Sequence, residues 1–109
     1  MKSYSVVVDR DAERDLDEIT AFIAEQDSIE RAIQVAARIE HAISRLSRFP
    51  NRGPHPRELL EYGNRDFREI HFKPYRILYR VLDDKVVVVL IADGRRDMRT
   101  LLARRLLGA

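Results

Sequence analysis

The chain reads as an α+β domain in the order β-α-α-β-β-β-α: an antiparallel sheet packed on an N-terminal helical hairpin, with a short C-terminal helix. Three observations predict this. The stretch Asp66 to Asp97 divides into three strand-like runs parted by the turn dipeptides Lys73-Pro74 and Asp83-Asp84. From Ala12 to Leu46 the apolar residues recur at helical rather than alternating spacing. After Asp97 helical spacing returns, with Met98, Leu101, Leu102 and Leu106 on one side. At 109 residues this is a single domain, residues 1–109, with a usable core and little to spare.

Taken in order, Tyr4–Val8 is a short strand that joins the sheet. Asp9 or Asp11 caps the helix that follows, and Asp11, Glu13 and Asp15 crowd its positive end. Ala12, Leu16, Ile19 and Ile23 form its buried stripe, and its acids make a solvated face. Gln26-Asp27-Ser28 turns the chain, and Ser28 caps a second helix expected to run to about Phe49. Its stripe is expected to comprise Ile29, Ile33, Ala36, Ile39 or Glu40, Ile43 and Leu46. Ala32, Ala36 and Ala37 are small enough to let the two helices approach closely. Asn51–Pro56 is loop by every local signal, Arg57–Tyr62 fits one helical turn, and Gly63-Asn64 leads into the sheet.

The strands are expected at Asp66–Phe72, Tyr75–Leu82 and Val86–Ile91. Pairing Leu82 with Lys85 across the tight turn puts Arg80 opposite Val87, Leu78 opposite Val89 and Arg76 opposite Ile91. Those six residues then share a face that is half apolar and half basic, of the kind that something else covers. Ile77, Tyr79 and Val81, with Val86, Val88 and Leu90, form the opposite, core face.

Composition narrows the function. Residues 1–49 carry seven basic and ten acidic side chains, and residues 50–109 carry thirteen and eight, so the half with the sheet is the basic half. Such a surface suits an anionic partner, nucleic acid or an acidic protein segment. The absence of cysteine fits a reducing, cytoplasmic setting and removes thiolate metal sites. His41, His55 and His71 lack metal-ligand spacing, and no glycine-rich phosphate loop or nucleophile elbow occurs, so neither metal nor cofactor is expected. No stretch has the length and apolarity of a membrane span, and no signal-peptide pattern opens the chain. The sheet also lacks the spaced aromatics of a nucleic-acid stacking platform.

The order of elements, joined to AERDLDEI (Ala12–Ile19), FREIHFKPYRILYR (Phe67–Arg80) and Gly94-Arg95-Arg96-Asp97, resembles the ParE/RelE superfamily of toxins from type II toxin–antitoxin modules. Tyr75-Arg76 followed by Tyr79, and the later GRRD, look like its ParE side. The resemblance implies a toxin neutralised by a cognate antitoxin, whose N-terminal part binds DNA and whose flexible C-terminal part wraps the toxin. On the ParE side it implies DNA gyrase as target, plasmid stabilisation and no catalytic residues. On the RelE side it implies a metal-independent ribonuclease that cuts mRNA on the ribosome.

That chemistry needs a base, a cation beside the phosphorane and an acid for the leaving oxygen. Here Arg76 and Arg96 match the family's arginines, and His71, with Glu69 two residues away, is the one proton carrier at hand. No tyrosine follows Tyr79, and Leu101 or Leu102 stands where the nuclease's terminal tyrosine aligns. The ParE side is therefore preferred. On that reading Arg76, Leu78, Arg80, Val87, Val89 and Ile91 are the expected antitoxin seat. Arg95, Arg96, Asp97 and Arg99 are the expected target contact.

Overall fold

The computed structural model describes residues 3–108. Strand β1 (Ser5–Val8) leads into a hairpin of helices α1 (Arg10–Gln26) and α2 (Ile29–Ser44), followed by one 3-10 turn, Arg45–Ser47. A one-turn helix α3 (Arg57–Leu60) precedes strands β2 (Arg68–Phe72), β3 (Tyr75–Leu82) and β4 (Lys85–Asp93), and α4 (Met98–Leu106) follows. The sheet order is β1-β4-β3-β2. The last three strands are antiparallel, as the turns require, whereas β1 joins β4 in parallel.

The caps explain where the helices begin. The Asp9 carboxylate accepts the Ala12 N–H at 2.9 Å, and the Ser28 hydroxyl accepts the Arg31 N–H at 3.0 Å. The second helix stops five residues short of Phe49, tightening into the 3-10 turn before Pro50. Its buried stripe is Ala32, Val35, Ile39 and Ile43, continued by Leu46 in that turn, while Ile29 and Ile33 face outward. The expected stripe holds from Ile39 onward and is rotated before it, with Ala32 and Val35 buried where Ile29 and Ile33 were expected.

The hairpin covers one face of the sheet. Ile39, Leu46, Ile77, Tyr79, Val86, Val88 and Ile91 form the main core there, with Ala12 from α1. Burying an aliphatic side chain of this size contributes about 2 kcal/mol. Two backbone features fix the frame. Asp83 takes a left-handed conformation (φ 55°) in the β3–β4 turn, which aspartate tolerates. Gly53 lies so close to the Glu69 carbonyl that a Cβ would collide with it, and its N–H is held by the Tyr79 hydroxyl at 3.2 Å.

The register follows the turn only partway. Leu82–Lys85, Val81–Val86, Arg80–Val87 and Tyr79–Val88 pair as expected, but Val89 is then an extra residue on β4. Beyond this bulge Leu78 faces Leu90, Ile77 faces Ile91 and Arg76 faces Ala92. One inserted residue exchanges the faces of everything after it. Ile91 therefore sits in the hairpin core, not beside Arg76, Leu78, Arg80, Val87 and Val89, and Leu90 moves to the opposite face.

Candidate functional site

The sheet face away from the hairpin is the one expected to seat a partner, and the chain itself covers half of it. Leu59 of α3, Phe67, and Met98, Leu101 and Leu102 of α4 close over Leu78, Leu90 and Ala92 to form a second core. Leu78 is completely buried there. The part nearer the β3–β4 turn stays open. Val7 and Val87 pair across β1 and β4, Arg80 pairs with Val87, and Leu82 pairs with Lys85, all facing the same way. Val7 and Leu82 are more than two-fifths exposed.

The two arginines of this face differ in their surroundings. Arg76 is enclosed. Its two terminal nitrogens donate to the Glu58 carboxylate at 2.8 Å each, and its Nε donates to Glu69 at 2.6 Å. Glu69 is the one buried charged residue among those described, and its Oε1 also bonds His71 Nε2 at 3.0 Å. The bidentate bond to Arg76 holds the Glu58 carboxyl down at about 2, and Arg76 is raised in turn, by Glu58 first and Glu69 after it. Gly94 packs flat on the Arg76 stem, where a Cβ would stand 2.9 Å from Cδ.

Arg80 has no such partners. Its guanidinium lies over the Phe67 ring at 5.4 Å, and it forms no ion pair among the described residues. Its Nε is buried without a hydrogen-bond partner there. A cation stacked on a ring and lacking an acid of its own is poised for an outside carboxylate.

The candidates after β4 divide similarly. Arg95 folds back on Asp93, with Nε at 3.0 Å and a terminal nitrogen at 2.6 Å, so Asp93 is lowered by that bond. Asp97 caps α4, accepting the Thr100 N–H at 3.2 Å and its hydroxyl at 2.8 Å. Arg99 pairs with Glu61 at 2.9 Å. Arg96 is exposed and forms no ion pair among the described residues.

Of the nuclease candidates, His71 and Arg76 are cross-strand partners and meet at Glu69. No hydrogen bond joins Arg96 to either among the described residues, and Leu101 and Leu102 are core. Sequence reasoning missed Glu58 as the partner of Arg76. The signal was available, because an arginine at a covered strand position requires a carboxylate. It also missed the clasp on β4. Asp15, read as part of a solvated face, accepts the Ile91 N–H at 3.0 Å and pairs with Arg105, which donates to the Val89 carbonyl at 3.1 Å. Both bulge groups are thus satisfied where β1 has ended. Among the described residues no group of histidine and acidic side chains could hold a metal ion, and no helix is long and apolar enough to cross a membrane.

A family model of the ParE toxin of the type II toxin–antitoxin system parDE matches residues 6–98. The chain is 33% identical over 100 residues to Toxin ParE3 of Caulobacter vibrioides, covering 92% of this chain and 96% of that protein. Among solved structures, the chromosomal ParDE system of P. aeruginosa superposes with a TM-score of 0.70 at 19% identity, covering 84% of this chain and 96% of that one. The toxin–antitoxin complex RelBE2 of Mycobacterium tuberculosis gives 0.58 at 28% identity, covering 85% and 93%. A free mutant of E. coli toxin RelE gives 0.63 at 16% identity, covering 95% and 98%. The last strands, the arginine segment and the helical hairpin thus stand in a known frame, and the chain belongs to the ParE toxin family of type II toxin–antitoxin systems.

Proposed function

We propose that this toxin acts as a protein inhibitor of DNA gyrase, without chemistry of its own, and that a cognate antitoxin neutralises it by folding onto its surface. The observation that carries this over mRNA cleavage is the enclosure of Arg76. A cation that must stabilise a phosphorane has to meet phosphate, and Arg76 instead spends its donors on two carboxylates. Glu58 and Glu69 would repel an incoming phosphodiester. Leu101 and Leu102, buried on the inner side of α4, supply no proton carrier. Gyrase as the target rests on kinship with ParE, and Arg96 is the residue best placed to touch it, being exposed and uncommitted.

For the antitoxin, the open end of the sheet is the proposed seat: Val7, Leu82 and Val87 for apolar side chains, Arg80 and Lys85 for acids. Of the residues expected from sequence, Arg80 and Val87 remain in it, with Val89 half-buried at its margin under α4. Arg76, Leu78 and Ile91 are engaged inside the fold. A disordered acidic segment that orders here combines apolar burial with charge pairing.

The test is induction of the lone chain in a bacterium, with DNA-damage signalling and translation followed in parallel. Filamentation with an SOS response, relieved by co-expressed antitoxin, is the expected result. Arrest of protein synthesis with mRNA cut on ribosomes refutes the proposal and returns His71, Arg76 and Arg96 as catalytic candidates.

A further inference from the structure

The flank of α2 that overlooks the β2 edge carries a row of cations. Each residue turns a helix by about 100°, so Arg38, His41 and Arg45 project within about 60° of one another. Arg48 and Arg52 follow beyond the helix, and all five residues are exposed. None of the four arginines forms an ion pair among the described residues. Acids stay clear of the row. Glu40 projects about 160° from Arg38, and Glu30 lies about two turns back. β1 separates the row from the Asp84 turn, since the Tyr4 N–H bonds the Ser47 carbonyl at 2.8 Å and the Ser5 N–H bonds the Asp84 carbonyl at 3.0 Å. Arg31 lies one heptad before Arg38 but outside the row, because Glu18 and Asp27 line the groove it faces.

Beside the row, between α2 and the free edge of β2, is a hollow of about 250 Å³. Ala42 and Pro54 wall it, and Arg52 stands over it. Arg38 and Arg45 are the helical neighbours of Ala42, four residues before it and three after. The loop carrying Arg52 is fixed on both sides, because Arg68 donates to the Asn51 carbonyl at 3.4 Å and to the Gly53 carbonyl at 2.8 Å. Glu69 and His71 reach the hollow by their main chain. Their side chains lie on the sheet face away from the hairpin, bonded to each other and, for Glu69, to Arg76. The Glu69 N–H points away from β3 to the Pro54 carbonyl at 2.9 Å, so the His71 N–H, two residues on, points outward as well and meets no strand. The hollow thus offers an open N–H and an arginine, with its one carboxylate turned to the other face.

We propose that this flank seats the phosphate backbone of duplex DNA. One phosphate enters the hollow, bonded by the His71 N–H and Arg52, and its neighbours meet Arg38, Arg45 and Arg48. Arg38 and Arg45 stand about 10 Å apart along the helix, a span over which duplex DNA presents about six charges. A protein partner would need apolar anchors. The row offers only Phe49, whose ring already carries the Arg45 guanidinium at 5.9 Å, while Ile29 and Ile33 project about 140° or more from Arg38. One aromatic is no ladder for unpaired bases, which favours a duplex over a single strand. The choice of DNA rests on the gyrase reading: an inhibitor bound to that enzyme works beside duplex DNA, and the row gives it a second anchor.

The experiment titrates the purified chain into a fluorescein-labelled mixed-sequence DNA duplex of about 30 base pairs, and into duplex RNA of the same sequence, from about 50 to about 200 mM salt. Four arginine contacts predict a logarithmic salt slope between about −3 and −4, a loss of affinity of about a hundredfold over that range. Arg38→Gln with Arg52→Gln brings the slope to about −2 at unchanged thermal unfolding, whereas Arg104→Gln, at an exposed unpaired arginine of α4, leaves it as in wild type. Absence of salt-sensitive DNA binding overturns the inference and leaves gyrase inhibition, read separately by supercoiling, standing. A slope unmoved by the double variant, or lowered as much by Arg104→Gln, assigns the binding to diffuse charge and also overturns it. Tighter binding to the RNA duplex overturns the choice of DNA and counts against the gyrase reading as well.

Discussion

Replacing Glu58 by glutamine separates the charge of the Arg76 network from its shape. The Glu58 carboxyl is held at about 2 in the folded chain against 4.5 for an ordinary glutamate, chiefly by the bidentate bond from Arg76. Its side chain is 17% exposed, so solvent screens the interaction only in part. A carboxyl whose folded pKa lies below its unfolded value stabilises the fold above the unfolded value, and that contribution fades as pH falls toward the folded one. The shift corresponds to about 3 kcal/mol at neutral pH, of which about 2 kcal/mol is gone by pH 3. Urea unfolding of wild type and Glu58→Gln at pH 7 and pH 3 reads this directly. The expected variant is less stable by about 2–3 kcal/mol at pH 7 and by only about 1 kcal/mol at pH 3. An equal deficit at both pH values would show that Glu58 contributes packing and not a depressed ionisation, and would refute the reasoning.

The other variants probe separate parts of the molecule. Gly53→Ala forces a Cβ against the Glu69 carbonyl and is expected to lower stability by about 1–3 kcal/mol in the same unfolding assay. Arg80→Glu is expected to weaken antitoxin binding by about tenfold at unchanged thermal stability, measured by calorimetry. Arg76→Glu gathers three acids in one covered place and is expected to destabilise the fold by about 3–5 kcal/mol, so reduced antitoxin binding by that variant reports unfolding. Arg96→Ala is expected to relieve growth inhibition at unchanged thermal unfolding, and full toxicity of that variant would move the target contact elsewhere.

The fold was legible wherever a local rule carried it. The β-branched, aromatic and long apolar residues of Tyr75–Leu82, the Asp83-Asp84 turn, the Asp9, Ser28 and Asp97 caps and the apolar spacing of α1 and α4 all depend on neighbours within a few residues. Long-range placement was less legible. A bulge at Val89 carries no sequence mark, since every residue from Val86 to Ile91 is apolar and tolerates either face. That one insertion exchanged Leu90 with Ile91 and moved Ile91 out of the expected seat. The outward Ile29 and Ile33 show the same limit, because α2 offers two overlapping apolar stripes and only packing against α1 and the sheet selects one. For the site, sequence identified the arginines but not their commitments. Arg76 and Arg80 look alike in the strand, yet only Arg76 meets Glu58 and Glu69, brought from α3 and β2. Arg95 and Arg96 are adjacent, yet only Arg95 folds back on Asp93.

The central claim is that this ParE-family toxin stalls gyrase and cuts no RNA. Purified chain added to a gyrase supercoiling reaction, beside a ribosome-programmed mRNA cleavage reaction at the same concentration, tests it most directly. The account predicts loss of supercoiling, restored by the antitoxin, with the mRNA intact. Undisturbed supercoiling together with mRNA cut on the ribosome would contradict it.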